Sequence, residues 1–418
     1  MKILVLNSGS SSQKSCLYEL GGAPPANPPG PSWQGKIEWD ADAANLVVEN
    51  RNGARIAKRV AVGSRDQAIR QLLETLWTGK ARILASPAEI DVVGHRIVHG
   101  GKFFRESTRL TKEARAAIAQ LGEIAPLHNR AELQGMEIVE EQVGPVLQVG
   151  VFDTAFHRNM PEVAVRYAGP YEWASEGIRR YGFHGINHEY CAERAAQLLG
   201  KKLKELKIVT CHLGNGCSLA AVRDGRSADT TMGFTPLEGL MMGTRSGSID
   251  PAIVTYLMRS RGFSAQQLEE LLNKRSGLLG ISGVSSDMRK VVAAIKEGHE
   301  RARLAFEMFV YRVRCYIGAM SAAIEGLDVL VFTGGIGENS QEVRAGTCAG
   351  LKFLGVRLDE TKNRSVSEDG EVSRDDSGVR VLVIRAQEDW AIARECWRIA
   401  RTEDERRVAA GGAVNSPQ

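Results

Sequence analysis

Two regimes of apolar and polar positions alternate along this chain. Compact apolar runs predict buried strands at Ile3-Leu4-Val5-Leu6, Ile90–Val98, Val146–Phe152, Lys207–His212, Ser218–Arg223, Val329–Thr333 and Val379–Arg385. Between them, residues 66–82, 111–121, Ala131–Val143, His188–Leu199, 250–261, 264–273, 285–297 and 299–325 carry helical patterns, and a last helix is predicted from Trp390 to about Ile399. Residues 1–20 read as strand, Gly/Ser turn, strand. Gly21–Pro31 holds five prolines, cannot be regular structure and is expected to form a surface loop between hairpin strands. Thr402–Gln418 is charged, then small and polar, and is expected to fray.

Strands alternating with helices predict an α/β protein with partly parallel sheets. Residues 3–20 and 207–225 echo one another, each an apolar strand, a Gly/Asn/Ser turn and a second apolar strand. Two similar halves would each bring one turn to a cleft, and 418 residues are enough for two domains.

One stretch fits neither period. Thr230–Gly247 contains Gly233, Gly239, Gly243 and Gly247, a proline, several hydroxyls and one arginine, Arg245. Ordering such a run is costly, because glycine loses the most backbone freedom on folding. Phe234, Leu237, Leu240, Met241 and Met242 make it too apolar for a disordered segment. The expectation is an ordered loop that holds Arg245 against a phosphate or carboxylate.

Composition narrows the classes. A net charge of +4 is small for this length, and no Lys/Arg run with interleaved aromatics occurs, so nucleic-acid binding is not expected. No run of 18 apolar residues is present, so no membrane span is expected. The seven cysteines are scattered without a C-x-x-C, and the first apolar run is too short for a signal segment; a reducing, cytoplasmic setting is expected.

The candidate chemistry lies at strand ends. Asn7-Ser8-Gly9-Ser10-Ser11-Ser12, His212-Leu213-Gly214-Asn215-Gly216 and Gly334-Gly335-Ile336-Gly337-Glu338-Asn339 each follow an apolar strand. Singly, such turns mostly connect strands; three together favour phosphate binding by backbone N–H groups. Neither a P-loop nor a G-x-G-x-x-G motif occurs. Arg96, inside an apolar strand, needs an anionic partner, which is either a ligand or a structural carboxylate. Asp153 and Glu388 follow strands and suit Mg²⁺, which takes one or two carboxylates and keeps its waters; the alternative for Glu388 is a first-turn helix charge. No H-E-x-x-H or nucleophile elbow is present. His128 and His184 sit in loops, the usual place for an ordinary histidine.

Taken together these segments resemble the acetokinase family, within the actin, sugar-kinase and heat-shock ATPase superfamily. The resemblance is carried by Leu6–Ser12, Gly94–Gly101, Ala125–Asn129, Phe152–His157, Arg180–Gly185, His212–Gly216, Met232–Gly247, Ser276–Asp287 and Phe332–Asn339, and covers roughly residues 1–20 and 60–400. It implies two domains of duplicated RNase H-like (actin-like ATPase) topology with an active-site cleft between them. The first would span 1–153, completed by the C-terminal helix at about 390–418, and the second 154–389, carrying the nucleotide site. It also implies a homodimer, and Mg²⁺-dependent transfer of the ATP γ-phosphoryl to acetate, giving acetyl phosphate and ADP, with Mn²⁺ as a substitute ion. Propionate or butyrate kinases are the near alternative, and a non-catalytic actin-like nucleotide-binding protein the distant one.

Carried over position by position, the resemblance makes Arg96, Asp153, His184 and Arg245 catalytic, with Arg96 and Arg245 on the carboxylate and phosphoryl groups. Val98, Leu127, Phe183 and Pro236 would form the acyl pocket. Lys14, His212, Leu213, Gly214, Asn215 and Gly216 would meet the ATP phosphates, and Asp287, Met288, Arg289, Gly335, Ile336, Gly337, Glu338 and Asn339 would frame the adenosine. Asn7 and Glu388 would attend the metal, with Ser10, Ser12 and His128 in support. A carboxylate acceptor is already ionised at neutral pH, so no strong general base is required. The chain departs from the family pattern in the Pro-rich insert, at Arg130, at Ile186-Asn187, at Ser248 and at Gln387-Glu388-Asp389.

Overall fold

The computed structural model describes residues 1–9, 12–39, 43–61, 64–123 and 126–412. They form two compact units, Met1–Ala155 with Gln387–Gln418, and Phe156–Ala386.

The first unit is built on an eight-stranded sheet of β1 (Lys2–Ser8), β2 (Ser12–Glu19), β3 (Trp33–Trp39), β4 (Ala43–Asn50), β5 (Arg55–Ala61), β6 (Val92–Ile97), β7 (Thr108–Arg109) and β8 (Leu147–Phe152), in the order β5-β4-β3-β2-β1-β6-β8-β7. The second unit has β9 (Ile208–Leu213), β10 (Cys217–Arg223), β11 (Arg226–Thr230), β12 (Val329–Thr333), β13 (Gly370–Glu371) and β14 (Arg380–Val383), in the order β11-β10-β9-β12-β14-β13. Five strands match between the sheets: β3-β2-β1-β6-β8 and β11-β10-β9-β12-β14. In each set the first three run antiparallel and the last two join in parallel. This is the duplicated topology that the sequence echo and the resemblance imply.

Parallel strands put their carboxyl ends on one edge, where ligands of open α/β sheets gather. In the first unit that edge carries Asn7 at the end of β1, Arg96 and Val98 at the end of β6, and Asp153 just past β8. In the second it carries His212 on β9 and Gly334 just past β12. β1 and β12 are buried almost throughout, as central strands covered on both faces must be.

The C-terminal helix Glu388–Gly412 packs on β1 and β6. Gly94 permits this approach, because a Cβ there would stand 2.5 Å from Cys396 Sγ and 2.7 Å from Ile392 Cγ2. The packing brings the helix N-terminus, with Glu388 and Asp389, to Asn7. This helix continues through 402–412, where fraying was expected. Those residues include good helix formers, and Glu403 pairs with Arg109 at 3.4 Å. The first predicted helix is shorter than its pattern: it covers Arg65–Glu74 and closes on Thr75, before Gly79 at φ 71°. The Pro-rich segment joins the antiparallel pair β2 and β3.

Candidate active site

In the first unit, Asp153 is 1% exposed and its Oδ2 accepts from Arg96 Nη2 at 2.5 Å. Arg96 Nη1 reaches Asn7 Oδ1 at 3.4 Å. Asn7 Nδ2 in turn donates to Glu388 Oε2 (3.2 Å) and Asp389 Oδ1 (2.9 Å). Burial pulls the Arg96 guanidinium down, but Asp153, with Glu388 and Glu132 beyond it, more than reverses this, and the net shift is upward. Asp389 is pushed up by burial, against the Asn7 hydrogen bond and Lys14. Lys14 is exposed on β2, in register with Asn7, and Ser12 begins the same strand. Ser10 lies outside the described residues, as do the side chains of Leu127 and His128.

One carboxyl here had no place in the sequence reading. Glu132, from the helix Pro126–Val143, is 3% exposed, and its Oε1 accepts from the Val98 N–H at 2.9 Å. Its helix is rich in acids at solvent-like spacing, so nothing in the pattern singles it out.

In the second unit the glycine-rich loop is ordered, as expected, and held by main-chain bonds. Met242 N donates to Arg245 O (3.1 Å), Leu278 N to Met242 O (2.8 Å) and Ser246 N to Leu272 O (3.0 Å). Gly247 adopts φ 71°, and a Cβ there would stand 2.5 Å from the Gly239 carbonyl oxygen, so no other residue fits without strain. Arg180 fastens the loop from outside. Its Nη1 donates to the carbonyls of Thr230, Thr231 and Met232, and its Nη2 pairs with Glu238 at 2.7 Å. Ser248, one of the departures, accepts from Gly239 N at 3.0 Å.

This scaffold presents Arg245 half-buried. Among the described residues it makes a hydrogen bond to the Pro236 carbonyl at 2.7 Å and no ion pair, and burial pulls its pKa down. Its Nη2 borders Gly216, where a Cβ would stand 2.9 Å from it and 3.4 Å from His184 Nε2. Only a glycine leaves these two groups facing the same small space.

His184 has left-handed backbone (φ 57°, ψ 23°), uncommon for a non-glycine residue. The preceding carbonyl, of Phe183, is held by His157 Nε2 at 3.2 Å, while Ser227 Oγ lies 2.7 Å from His157 Nδ1. Burial lowers the His157 pKa to about 4, so it is neutral and donates one N–H. The His184 ring stacks on His212 at 4.1 Å between centroids and 16° between planes. Asn187, another departure, ties His212 Nδ1 (2.8 Å) to Thr333 Oγ1 (3.3 Å). Phe183 and Leu213 are buried in this unit, Leu213 completely.

The segment Gly334–Asn339 is a short helix rather than a loop. Glu338 Oε1 accepts from Gly334 N and Ala386 N, both at 2.9 Å, joining the ends of β12 and β14. Gly335 and Asn339 stay exposed beside the half-buried Ile336. Asp287 caps the helix Met288–Lys296 and pairs with the exposed Arg289, while Met288 is buried. Arg344, which sequence reading passed over, is 2% exposed and donates to the carbonyls of Gly337, Glu338 and Asn363 at 2.7–2.8 Å. It fixes the carbonyl end of the proposed adenosine segment.

With this geometry in view, the comparisons are decisive. The sequence pattern of the acetokinase family matches residues 2–394. The chain belongs to the acetokinase family. It is 53% identical to an acetate kinase of Cyanothece sp. over 97% of its length and 100% of the relative's. Among solved structures, acetate kinase of Porphyromonas gingivalis superposes with a TM-score of 0.87 at 42% identity, covering 95% of this chain and 99% of that one. A propionate kinase of Francisella tularensis gives 0.86 at 39%, with the same coverage. The family assignment accounts for the duplicated actin-like fold seen in the two sheets.

Proposed function

We propose that this acetokinase-family enzyme transfers the γ-phosphoryl group of ATP to acetate, reversibly, giving acetyl phosphate and ADP. The observation that carries the reading is Arg245. A half-buried guanidinium whose pKa desolvation lowers, fixed by a glycine-rich loop and paired with no carboxylate among the described residues, would have its electrostatic need met by an anion that arrives. His184 borders the same space across Gly216, so Arg245 and His184 are assigned to the transferring phosphoryl oxygens. Arg96 is assigned to the acetate carboxylate. The acceptor needs no base at neutral pH, so the rate comes from orientation and charge neutralisation.

Asn7, Asp153 and Glu388 form an oxygen-only donor set with two carboxylates gathered about Arg96. That set fits Mg²⁺. When bound, Mg²⁺ would neutralise phosphate oxygens of the nucleotide. The Gly214-Asn215-Gly216 turn is held in shape by its own main-chain bonds, Gly214 N donating to Gly216 O and Gly243 N to Asn215 O, both at 3.0 Å, and it is assigned to those phosphates through N–H groups other than that of Gly214.

Acetate and propionate differ by one methylene, worth about 1–3 kcal/mol in an apolar pocket, so overlapping use of the two acids is expected. The backbone does not decide between them, since kinases named for either acid superpose almost equally. The test is hydroxylamine trapping of acyl phosphate from MgATP with acetate, propionate or butyrate. Acetate-dominated hydroxamate that collapses at least a hundredfold in Arg245→Ala is expected, given about 2.7–4 kcal/mol for one transition-state donor. ATP binding with no hydroxamate from any acid would overturn the kinase reading.

We also infer a homodimer formed through the second unit. Its helices Pro251–Arg261 and Glu300–Ala323 expose Ile253, Tyr256, Leu304 and Tyr311, apolar side chains that a second copy would cover. A sedimentation measurement returning only the 45.5 kDa monomer would remove it. No helix among the described residues is long and apolar enough to cross a membrane. All seven cysteines are free thiols, which supports placement in the reducing cytoplasm; recovery of the protein outside the cytosolic fraction would count against that.

A further inference from the structure

Arg245 owes its orientation to one carbonyl. Among the described residues the only hydrogen bond from its guanidinium runs from Nη1 to Pro236 O at 2.7 Å, while Nη2 borders Gly216. A guanidinium is planar and its donors are fixed relative to one another. The place of the Pro236 carbonyl therefore sets the direction in which the remaining donors point.

Pro236 is the middle residue of a bend, residues 234–238, whose two ends meet on a single oxygen. Phe234 N donates to the Tyr167 hydroxyl at 2.8 Å, and that hydroxyl donates to Glu238 Oε2. Both directions are forced, because a main-chain N–H can only donate and a carboxylate only accepts. Burial, and then the Glu238 carboxylate, push the Tyr167 pKa up against the pull of Arg180 and the Phe234 N–H, so the phenol keeps its hydrogen. Inside the bend, Leu237 N turns back to Thr235 Oγ1 at 3.3 Å. Gly233 clears the space for this meeting, since a Cβ there would overlap the Tyr167 hydroxyl oxygen at 2.1 Å. Arg180 Nη2 holds the other Glu238 oxygen at 2.7 Å, so the carboxylate is gripped from two sides.

We propose that Tyr167 and Glu238 are positioning residues for Arg245, the Tyr167 hydroxyl closing the 234–238 bend and so fixing the Pro236 carbonyl that aims the guanidinium. Neither residue is assigned to the phosphoryl group; both act through one main-chain oxygen. The aiming of Arg245 does not depend on the kinase reading, whereas its service to phosphoryl transfer rests on it. Nothing in the loop's own sequence supplies this closure, because Tyr167 lies 71 positions before Glu238. The competing role for the Tyr167 contact is stability of the second unit alone. The two roles differ in what the contact is worth once Arg245 has gone.

The experiment is a double-mutant cycle in the hydroxylamine assay, run on the full chain with Tyr167→Phe, Arg245→Ala and the two combined. Tyr167→Phe removes one oxygen and keeps the ring, over which the Arg180 guanidinium lies at 5.7 Å. It should lower kcat about tenfold or more while the KM for ATP holds, since a misplacement of about 1 Å can cost about a hundredfold. In the Arg245→Ala chain the same change should have less than about a twofold effect, because no guanidinium is left to aim. Glu238→Ala opens the bend from its other end and should behave alike in the cycle. Losses of equal size in both backgrounds would overturn the proposal and leave a structural contact; an unchanged kcat in Tyr167→Phe would overturn it too. Crystal structures of the parent and Tyr167→Phe give a readout that needs no activity. The Arg245 Nη1 contact to Pro236 O should be lost in the variant, and its persistence at 2.7 Å would refute the aiming role. If the unmodified chain yields no hydroxamate, the kinase reading fails and the crystallographic comparison alone decides.

Discussion

Replacing Glu132 with glutamine separates a buried proton from the hydrogen bond it accompanies. The carboxyl is almost fully buried, with Oε1 on the Val98 N–H at 2.9 Å and Oε2 lacking a hydrogen-bond partner among the described residues. Burial lifts its pKa to about 8, against the pull of the Val98 N–H and Arg96 and with some help from Asp153. In the unfolded chain the value returns to about 4.3. Between those limits the folded state holds a proton that the unfolded state has lost, so stability falls as pH rises through the window. This is the reverse of an ion-paired carboxylate. At about 1.4 kcal/mol per pH unit the full swing is about 5 kcal/mol.

Glu132→Gln keeps an acceptor for Val98 and the side-chain shape, but has no proton to lose. Its stability relative to the parent should therefore grow by several kcal/mol from pH 5 to pH 8.5. The assay is urea unfolding followed by tryptophan fluorescence, because Trp33, Trp39, Trp77, Trp390 and Trp397 all lie in the first unit and only Trp173 in the second. His95 and His157, both lowered to about 4 by burial, titrate alike in the two proteins and cancel from the difference. Parallel pH profiles for parent and variant would refute the argument.

Two further outcomes follow from packing and polar satisfaction. Gly94→Ala should destabilise the first unit by about 1–3 kcal/mol, the usual cost of overpacking, because its Cβ would press on Cys396 and Ile392. Cys396→Ala in the same chain should recover part of the urea midpoint, and an unchanged midpoint in the single variant would discard the packing argument. Arg344→Leu should leave the buried carbonyls of Gly337, Glu338 and Asn363 short of a donor, at about 1–3 kcal/mol each. The KM for ATP should then rise while that for acetate holds; equal changes in both would deny Arg344 its place behind the adenosine segment.

Much of this architecture is written in local pattern. The apolar runs and glycine turns at 3–20 and 207–225 announce paired strands, and the apolar side chains of Thr230–Gly247 announce an ordered loop. What is missing locally is partnership. The order β3-β2-β1-β6-β8 depends on which strand ends meet across scores of residues, and no spacing encodes that. Glu132 and Arg344 look like solvent-facing charges in charged helices, and only the Val98 N–H and the Gly337 and Glu338 carbonyls distinguish them. His188 is the intermediate case. Its i,i+4 spacing from His184 is visible, but its hydrogen-bond partners, Thr210 and Ser218, come from the sheet.

The two candidate arginines show why burial alone does not identify a binding residue. Arg96 is buried against Asp153, and the carboxylate reverses the effect of desolvation, so its charged form is favoured within the protein itself. Arg245 is half-buried with carbonyl oxygen at one nitrogen and no carboxylate among the described residues, and desolvation dominates. Removing a charge from water without a counter-charge is unfavourable, and the fold sustains it only through a loop tied at Arg180, Glu238 and the Gly277–Ser282 helix. An anion at Arg245 would restore there the favourable balance that Asp153 already gives to Arg96. On the proposed reading, a ligand rather than another side chain completes the second centre, and the costly loop is kept rigid to receive it.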